Sequence, residues 1–221
     1  MLDKPSSKQK IDVPFSSFYD LLQHHARRFA EAPAILAPDC PPLSYRRLYR
    51  HIDDVGRILR TKGIGRDDRL AVLMPNGPEL AVAIVAAAAN AACASINPAY
   101  SAEELDRYLA DLKPRALVLA AKVDSPARRV AQARGVPVFD LTPTGEAAGL
   151  FSLAGAAAGK PSSDPVGPGA TALFLFTSGT TSRPKIVPLT HVNICTSAFS
   201  AVAALKLSEA DRCLNVLPSF H

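Results

Sequence analysis

Apolar residues recur along this chain with two periods, and the way the periods alternate sets the expected fold. Phe18, Leu21, Leu22, His25 and Phe29 return every three or four residues behind Ser17 and Asp20, a start resembling a capping box, which predicts a first helix to about residue 30. Ala34-Ile35-Leu36-Ala37 and Leu43-Ser44 flank a proline-rich turn at 38–42 and read as two short strands. Leu48, Ile52, Val55 and Leu59 then mark one face of a second helix that stops near Gly63. The continuous apolar run Arg69-Leu70-Ala71-Val72-Leu73-Met74, ended by Pro75-Asn76-Gly77, predicts a buried strand and a turn. Residues 79–90 form an alanine-rich helical stretch whose small side chains let it lie close to a sheet. Cys93-Ala94-Ser95-Ile96 is a further strand, closed by Asn97-Pro98. Ser101-Ala102-Glu103-Glu104 opens another helix with a capping box and carries Leu105, Tyr108, Leu109 and Leu112 inward. Strand, helix and strand follow at 116–119, 127–134 and 136–139. Strands alternating with helices at this pace require crossover connections, so the fold class is α/β, with mostly parallel strands covered by helices on both faces.

The pattern also divides the chain. Residues 1–14 carry no periodicity and form a disordered lead-in; 15–141 make a first α/β subdomain. Over 142–169 periodicity disappears into Gly, Ala, Pro and Ser, as in a linker-like connection. Residues 170–221 begin a second subdomain: an apolar strand from Thr171, a helix capped by Thr190 with Val192, Ile194, Cys195, Ala198 and Val202, and a final strand at 211–217. Because that last apolar pattern runs into His221 without a polar tail, a truncated piece of a longer protein is expected.

Composition narrows the function classes. With 48% hydrophobic and 20% charged residues the chain is globular, not disordered. The net charge of +5 is spread over scattered arginines with no basic block and no aromatic interleaving, which disfavours nucleic acid as a partner. Cys40, Cys93, Cys195 and Cys213 lack the paired spacing of a zinc site or a disulfide framework and are expected as free thiols in a reducing compartment. His24 and His25, adjacent on a helix, point about 100° apart and cannot readily share a metal. The N-terminus lacks the apolar core of a secretory signal, and the longest apolar stretch, 80–96, is alanine-rich and interrupted by Asn90, so no membrane span is expected. A soluble cytoplasmic protein is predicted.

The chemistry concentrates in Thr177-Ser178-Gly179-Thr180-Thr181-Ser182-Arg183-Pro184-Lys185, directly after the apolar strand. Hydroxyls and backbone N–H groups donate to phosphate oxygens, Gly179 permits close backbone approach, and Lys185 supplies a mobile charge. The plainer reading, a polar surface turn, fits the composition less well, given the buried strand before it and the Pro184-Lys185 ending. The loop is not a Walker A motif: Pro184 stands where the second glycine belongs and Ile186 where Ser or Thr belongs.

The segment Leu175-Phe176-Thr177-Ser178-Gly179-Thr180-Thr181-Ser182-Arg183-Pro184-Lys185 resembles the phosphate loop of the adenylate-forming superfamily, the acyl-CoA synthetases, luciferases and adenylation domains of peptide synthetases, whose motif reads [YF]TSG[ST]TGxPKG. Leu43-Ser44-Tyr45-Arg46-Arg47-Leu48, residues 91–98 and Leu217-Pro218-Ser219-Phe220-His221 are similar to further family segments in the family's order, so the resemblance covers 15–221. Ser182 and Ile186 depart from the pattern, each replacing a glycine; the Thr-Ser-Arg-Pro-Lys version is similar to the oxalate-CoA ligase branch and makes a small dicarboxylate a candidate substrate. The resemblance implies the first portions of the large N-terminal domain of an AMP-forming acyl-CoA synthetase using ATP, Mg²⁺ and coenzyme A. It implies that Thr177, Ser178, Gly179, Thr180, Thr181 and Lys185 bind ATP phosphates, that Thr181 meets the metal through Mg-ATP, and that His221 lies near the acyl and adenylate site. Family segments for adenine, ribose and the adenylation lysine are missing, so the chain alone is expected to be inactive. Two other readings stay open at this point: a non-catalytic nucleotide-binding or structural module derived from the family, and an unrelated α/β nucleotide-binding protein.

Overall fold

The computed structural model describes residues 13–121, 123, 125–155, 167, 169–177 and 185–220. The chain opens with helix α1 (Phe18–Arg28), where Ser17 Oγ accepts from the Asp20 N–H at 3.1 Å. Strands β1 (Pro33–Ile35) and β2 (Leu43–Ser44) pair antiparallel and lead into α2 (Tyr45–Thr61). There Leu48, Ile52, Val55 and Leu59 are buried, as their spacing predicts.

The alternating core follows as β3 (Arg69–Leu73), α3 (Pro78–Asn90), β4 (Ala92–Ser95), α4 (Ala102–Leu112), β5 (Ala116–Ala120), α5 (Ala127–Ala133) and β6 (Val138–Pro143). Next come β7 (Phe151–Gly155), β8 (Thr171–Thr177), β9 (Lys185–Thr190) and α6 (His191–Leu205). Among the described residues, one seven-stranded sheet in the order β7-β6-β5-β3-β4-β8-β9 contains all strands but β1 and β2. Its five inner strands are parallel, and β7 and β9 close the two edges antiparallel. The α/β expectation, with helices on both faces, holds.

Two cores sandwich the sheet. On one face Leu70 and Val72 of β3 meet α2 and α3; on the other Ala71 and Leu73 meet α4 and α5. The parity of a strand makes this division: neighbouring residues point to opposite faces. Helices α2 and α3 approach closely because position 56 is glycine: a Cβ there would overlap the Asn90 carboxamide oxygen. Asn90 is buried yet satisfied, donating to Ile52 O at 3.3 Å and Ala86 O at 2.9 Å and accepting from Arg60 Nη1 at 3.1 Å. No helix among the described residues is long and apolar enough to cross a membrane.

Three elements differ from the sequence reading. Residues 142–155, expected as the start of a connection, complete β6 and form β7, which pairs with β6 from Phe139↔Gly155 to Pro143↔Phe151. Between the two strands Gly149 adopts φ +83° and packs so tightly that a Cβ would lie 2.5 Å from Val82 Cγ2 and 2.7 Å from Pro78 O. That turn is therefore docked on the start of α3. Strand β9 is a second addition: Pro188 argues against a central strand, but an edge strand tolerates a residue that cannot donate outward. The strand expected at 211–217 does not form; Leu214, Val216 and Leu217 are 85%, 76% and 69% exposed and pair with no strand among the described residues.

Candidate phosphate site

The parallel strands present their C-terminal ends on one edge of the sheet, where the turns Met74-Pro75-Asn76-Gly77 after β3 and Asn97-Pro98-Ala99-Tyr100 after β4 lie beside the end of β8. The chain winds from β3 to β4 in one direction and from β5 to β6 in the other, so the order reverses between β3 and β5. Open sheets of this kind take ligands at that edge, near the reversal.

Strands β8 and β9 form a hairpin whose register pairs Thr171 with Thr190, Leu173 with Leu189, Leu175 with Val187, Phe176 with Ile186 and Thr177 with Lys185. Thr177 and Lys185 therefore make the last rung, both exposed, with a hydroxyl and an ammonium directly opposed at the mouth of the intervening segment. The other predicted phosphate ligands, Ser178, Gly179, Thr180 and Thr181, lie outside the described residues, as does His221. Thr181 was the expected metal contact. Among the described residues no group of three His, Cys, Asp or Glu could hold a metal ion. The Thr177–Lys185 rung brings a hydroxyl that can donate and an ammonium that can only donate, with no carboxylate in the pair, chemistry that fits the oxygens of a polyphosphate.

The next rung, Phe176–Ile186, faces the opposite side of the sheet and packs on the α4 core. Ile186 has no positive φ; it is ordinary extended backbone, which a β-branched residue favours. The Tyr108 ring of α4 stands edge-on to Phe176 with centroids 4.5 Å apart, and Tyr100 stacks on Tyr108 at 4.7 Å with their hydroxyls 3.0 Å apart. Burial, then the Tyr100 hydroxyl, pushes the Tyr108 phenol above its ordinary range. Sequence reasoning placed Tyr108 merely on the inner face of a helix, and Tyr100 carried no signal beyond lying after a turn.

Asn76 was also missed. Its Oδ1 accepts from the Ser219 N–H at 3.1 Å across 143 residues, and Phe220 packs against the α2–α3 core, so the segment before His221 is tied to the turn after β3. At the far end of the hairpin, Thr190 caps α6 with a capping box shared with Asn193, and His191 is fully buried. His191 Nδ1 accepts from the Phe18 N–H at 3.2 Å, supplying the first turn of α1 with an acceptor from the other end of the sequence. Burial holds the His191 imidazole below its usual range, against the pull of Asp20. Cys93, wholly buried in β4, has its thiol pushed up to about 12 by the same cause.

Known proteins resemble this chain over most of its length. A probable CoA ligase of Humulus lupulus is 36% identical over 208 residues, 91% of this chain and 39% of that protein. The oxalate–CoA ligase of Arabidopsis thaliana is 34% identical over 212 residues, 91% of this chain and 40% of its own length. This chain thus spans about 40% of the length of these two relatives. Among solved structures, ATP-bound MatB from Rhodopseudomonas palustris superposes with a TM-score of 0.70 at 26% identity, covering 93% of this chain and 41% of MatB. The N-terminal domain of FACL13 from Mycobacterium tuberculosis shares the fold with a TM-score of 0.73 at 24% identity, over 94% of this chain and 52% of that one. Residues 22–221 match the family described as AMP-binding enzyme, and the chain belongs to that family.

Proposed function

We propose that this chain is the nucleotide-phosphate-handling part of an ATP-dependent acid–thiol ligase. In the complete protein a carboxylate attacks the α-phosphorus of ATP, the bond to the β-phosphate oxygen breaks, and pyrophosphate leaves; a thiol, coenzyme A, then displaces AMP from the acyl carbon. Lys185 and Thr177 hold and neutralise the departing β- and γ-phosphates, whose charge grows as the bond breaks. Ser178, Gly179, Thr180 and Thr181 would add further phosphate donors, Thr181 would meet the Mg²⁺ that the nucleotide brings, and His221 would serve near the acyl group. The observation that supports this reading is the Thr177–Lys185 rung, set on the side of the sheet where the parallel strands end, in a member of the AMP-binding family.

Calorimetric titration of the 221-residue chain with Mg-ATP tests it. Heat of binding is expected, and Lys185→Ala weakens it roughly 10- to 100-fold, the loss of one hydrogen bond from a charged group. No heat from the parent chain, or equal affinity in the variant, would overturn the assignment. Carboxylate-driven pyrophosphate exchange by residues 1–221 alone is expected at background, because the match covers only 39% of the Humulus relative's length and the groups outside it have no counterpart in these residues. Exchange above background would show that these residues suffice.

A further inference from the structure

The hairpin that carries Lys185 is long on backbone pairing and short on anchorage. Strand β9 is an edge, bonded to β8 alone, and Lys185, Val187 and Pro188 along it are exposed. Strand β8 in turn joins the rest of the sheet through the Cys93↔Leu173 pairing with β4, well below the Thr177–Lys185 rung. What reaches the hairpin near its tip is aromatic. Phe176 and Ile186, one rung from Lys185, are half-buried against the α4 core, and the Tyr108 ring meets Phe176 edge-on at 4.5 Å. Tyr108 is itself held in place: Tyr100 stacks on its other side with ring planes 18° apart, and the two hydroxyls bond. Tyr100 stands at the start of α4, beside the capping box in which Ser101 and Glu104 exchange hydrogen bonds, so the stack begins from an ordered turn.

We propose that Tyr108, backed by Tyr100, is a positioning residue for the phosphate site: its ring clamps the Phe176–Ile186 rung and thereby sets where Thr177 and Lys185 stand. The clamp works on the face of the sheet opposite the one on which those two side chains project, so it touches no phosphate. Ile186 belongs to the same device. As an extended, β-branched residue on the clamped rung it stiffens the strand immediately after Lys185 and offers apolar surface to the α4 side, which glycine cannot do. An edge-to-face aromatic pair stabilises its arrangement enough to shift a local opening equilibrium several-fold, which is the size of effect a positioning residue exerts on binding.

This inference rests on the phosphate reading of Lys185, and its test separates the two. In Tyr108→Ala, amide hydrogen exchange measured without nucleotide is expected to quicken roughly two- to tenfold over residues 171–177 and 185–190 while residues 69–73 and 116–120 exchange as in the parent. Mg-ATP affinity is expected to fall by a similar factor. Tyr108→Phe keeps the ring and loses only the hydroxyl pair, and it is expected to restore both readings to within about twofold of the parent. Unchanged hairpin exchange in Tyr108→Ala, or exchange quickened equally throughout the chain, would overturn the clamp whatever Lys185→Ala does. Quickened hairpin exchange with unchanged Mg-ATP affinity would overturn its link to the phosphate site while leaving the phosphate reading intact. Absence of Mg-ATP binding by the parent would overturn that reading and the link together, and the exchange measurement would still decide the clamp.

Discussion

At the scale of single residues, the buried His191 and the half-buried His51 make the sharpest statement. His191 accepts the Phe18 N–H through Nδ1, so its proton sits on Nε2, and protonating Nδ1 would remove the acceptor and place a charge in the core. His51, edge-on to Phe151 with centroids 4.4 Å apart, is held down by burial in the same way, against a weaker upward pull from Asp54. A group whose folded pKa lies below its unfolded value takes up its proton on unfolding. Stability is therefore complete above an unfolded histidine value of about 6.5 and is lost as pH falls through that value toward the folded one, by up to about 1.4 kcal/mol per pH unit for each such group. Urea unfolding between pH 7.5 and pH 5 should show that decline, and His191→Asn, whose carboxamide oxygen can still accept from Phe18, should flatten part of it. A decline of the same slope in the variant would remove His191 as a cause.

At the scale of elements, the informative turn is the one joining β6 to β7. It reads in sequence as the start of a loose connection, and the structure seats it on α3. Gly145 and Gly149 both have positive φ, but a Cβ at Gly145 meets nothing within 4 Å whereas one at Gly149 collides with Val82 and the Pro78 carbonyl. Gly145→Ala should therefore destabilise by about 1 kcal/mol from backbone strain alone, and Gly149→Ala by roughly 2 kcal/mol or more as overlap adds to strain. Denaturant midpoints would compare them; equal losses would mean that the turn yields without cost and is not docked. The helices were the most legible elements, since Ser17, Ser101 and Thr190 cap where the hydroxyl precedes an apolar period; Ser44, read from the sequence only as a strand residue, caps α2 as well. The strands β7 and β9 were not, because an edge strand needs only one neighbour and so tolerates the Ser, Gly and Pro that mask a strand signal.

At the scale of the molecule, the division into 15–141 and 170–221 is a proposal about cooperativity. Strand β8 pairs in parallel with β4, so both stretches contribute to one sheet, and Ala172 joins the α2–α3 core. Far-ultraviolet circular dichroism and tyrosine emission should then follow one coincident unfolding transition in urea; two separated transitions would establish independent subdomains. The sequence by itself determined the alternation of strands and helices, the helix starts, the two-faced burial and the anion-seeking composition around Thr177 and Lys185. Each of these is local: a periodicity, a cap or a cluster is complete within a few residues. Only the tertiary structure decided the strand order, the opposition of Thr177 and Lys185 on one rung, the Asn76–Ser219 bond and the Tyr108 contact with the rung below. Those join residues up to 143 apart, and such pairings are chosen by which sheet edge is open and which side chains fit, a choice that no local pattern encodes.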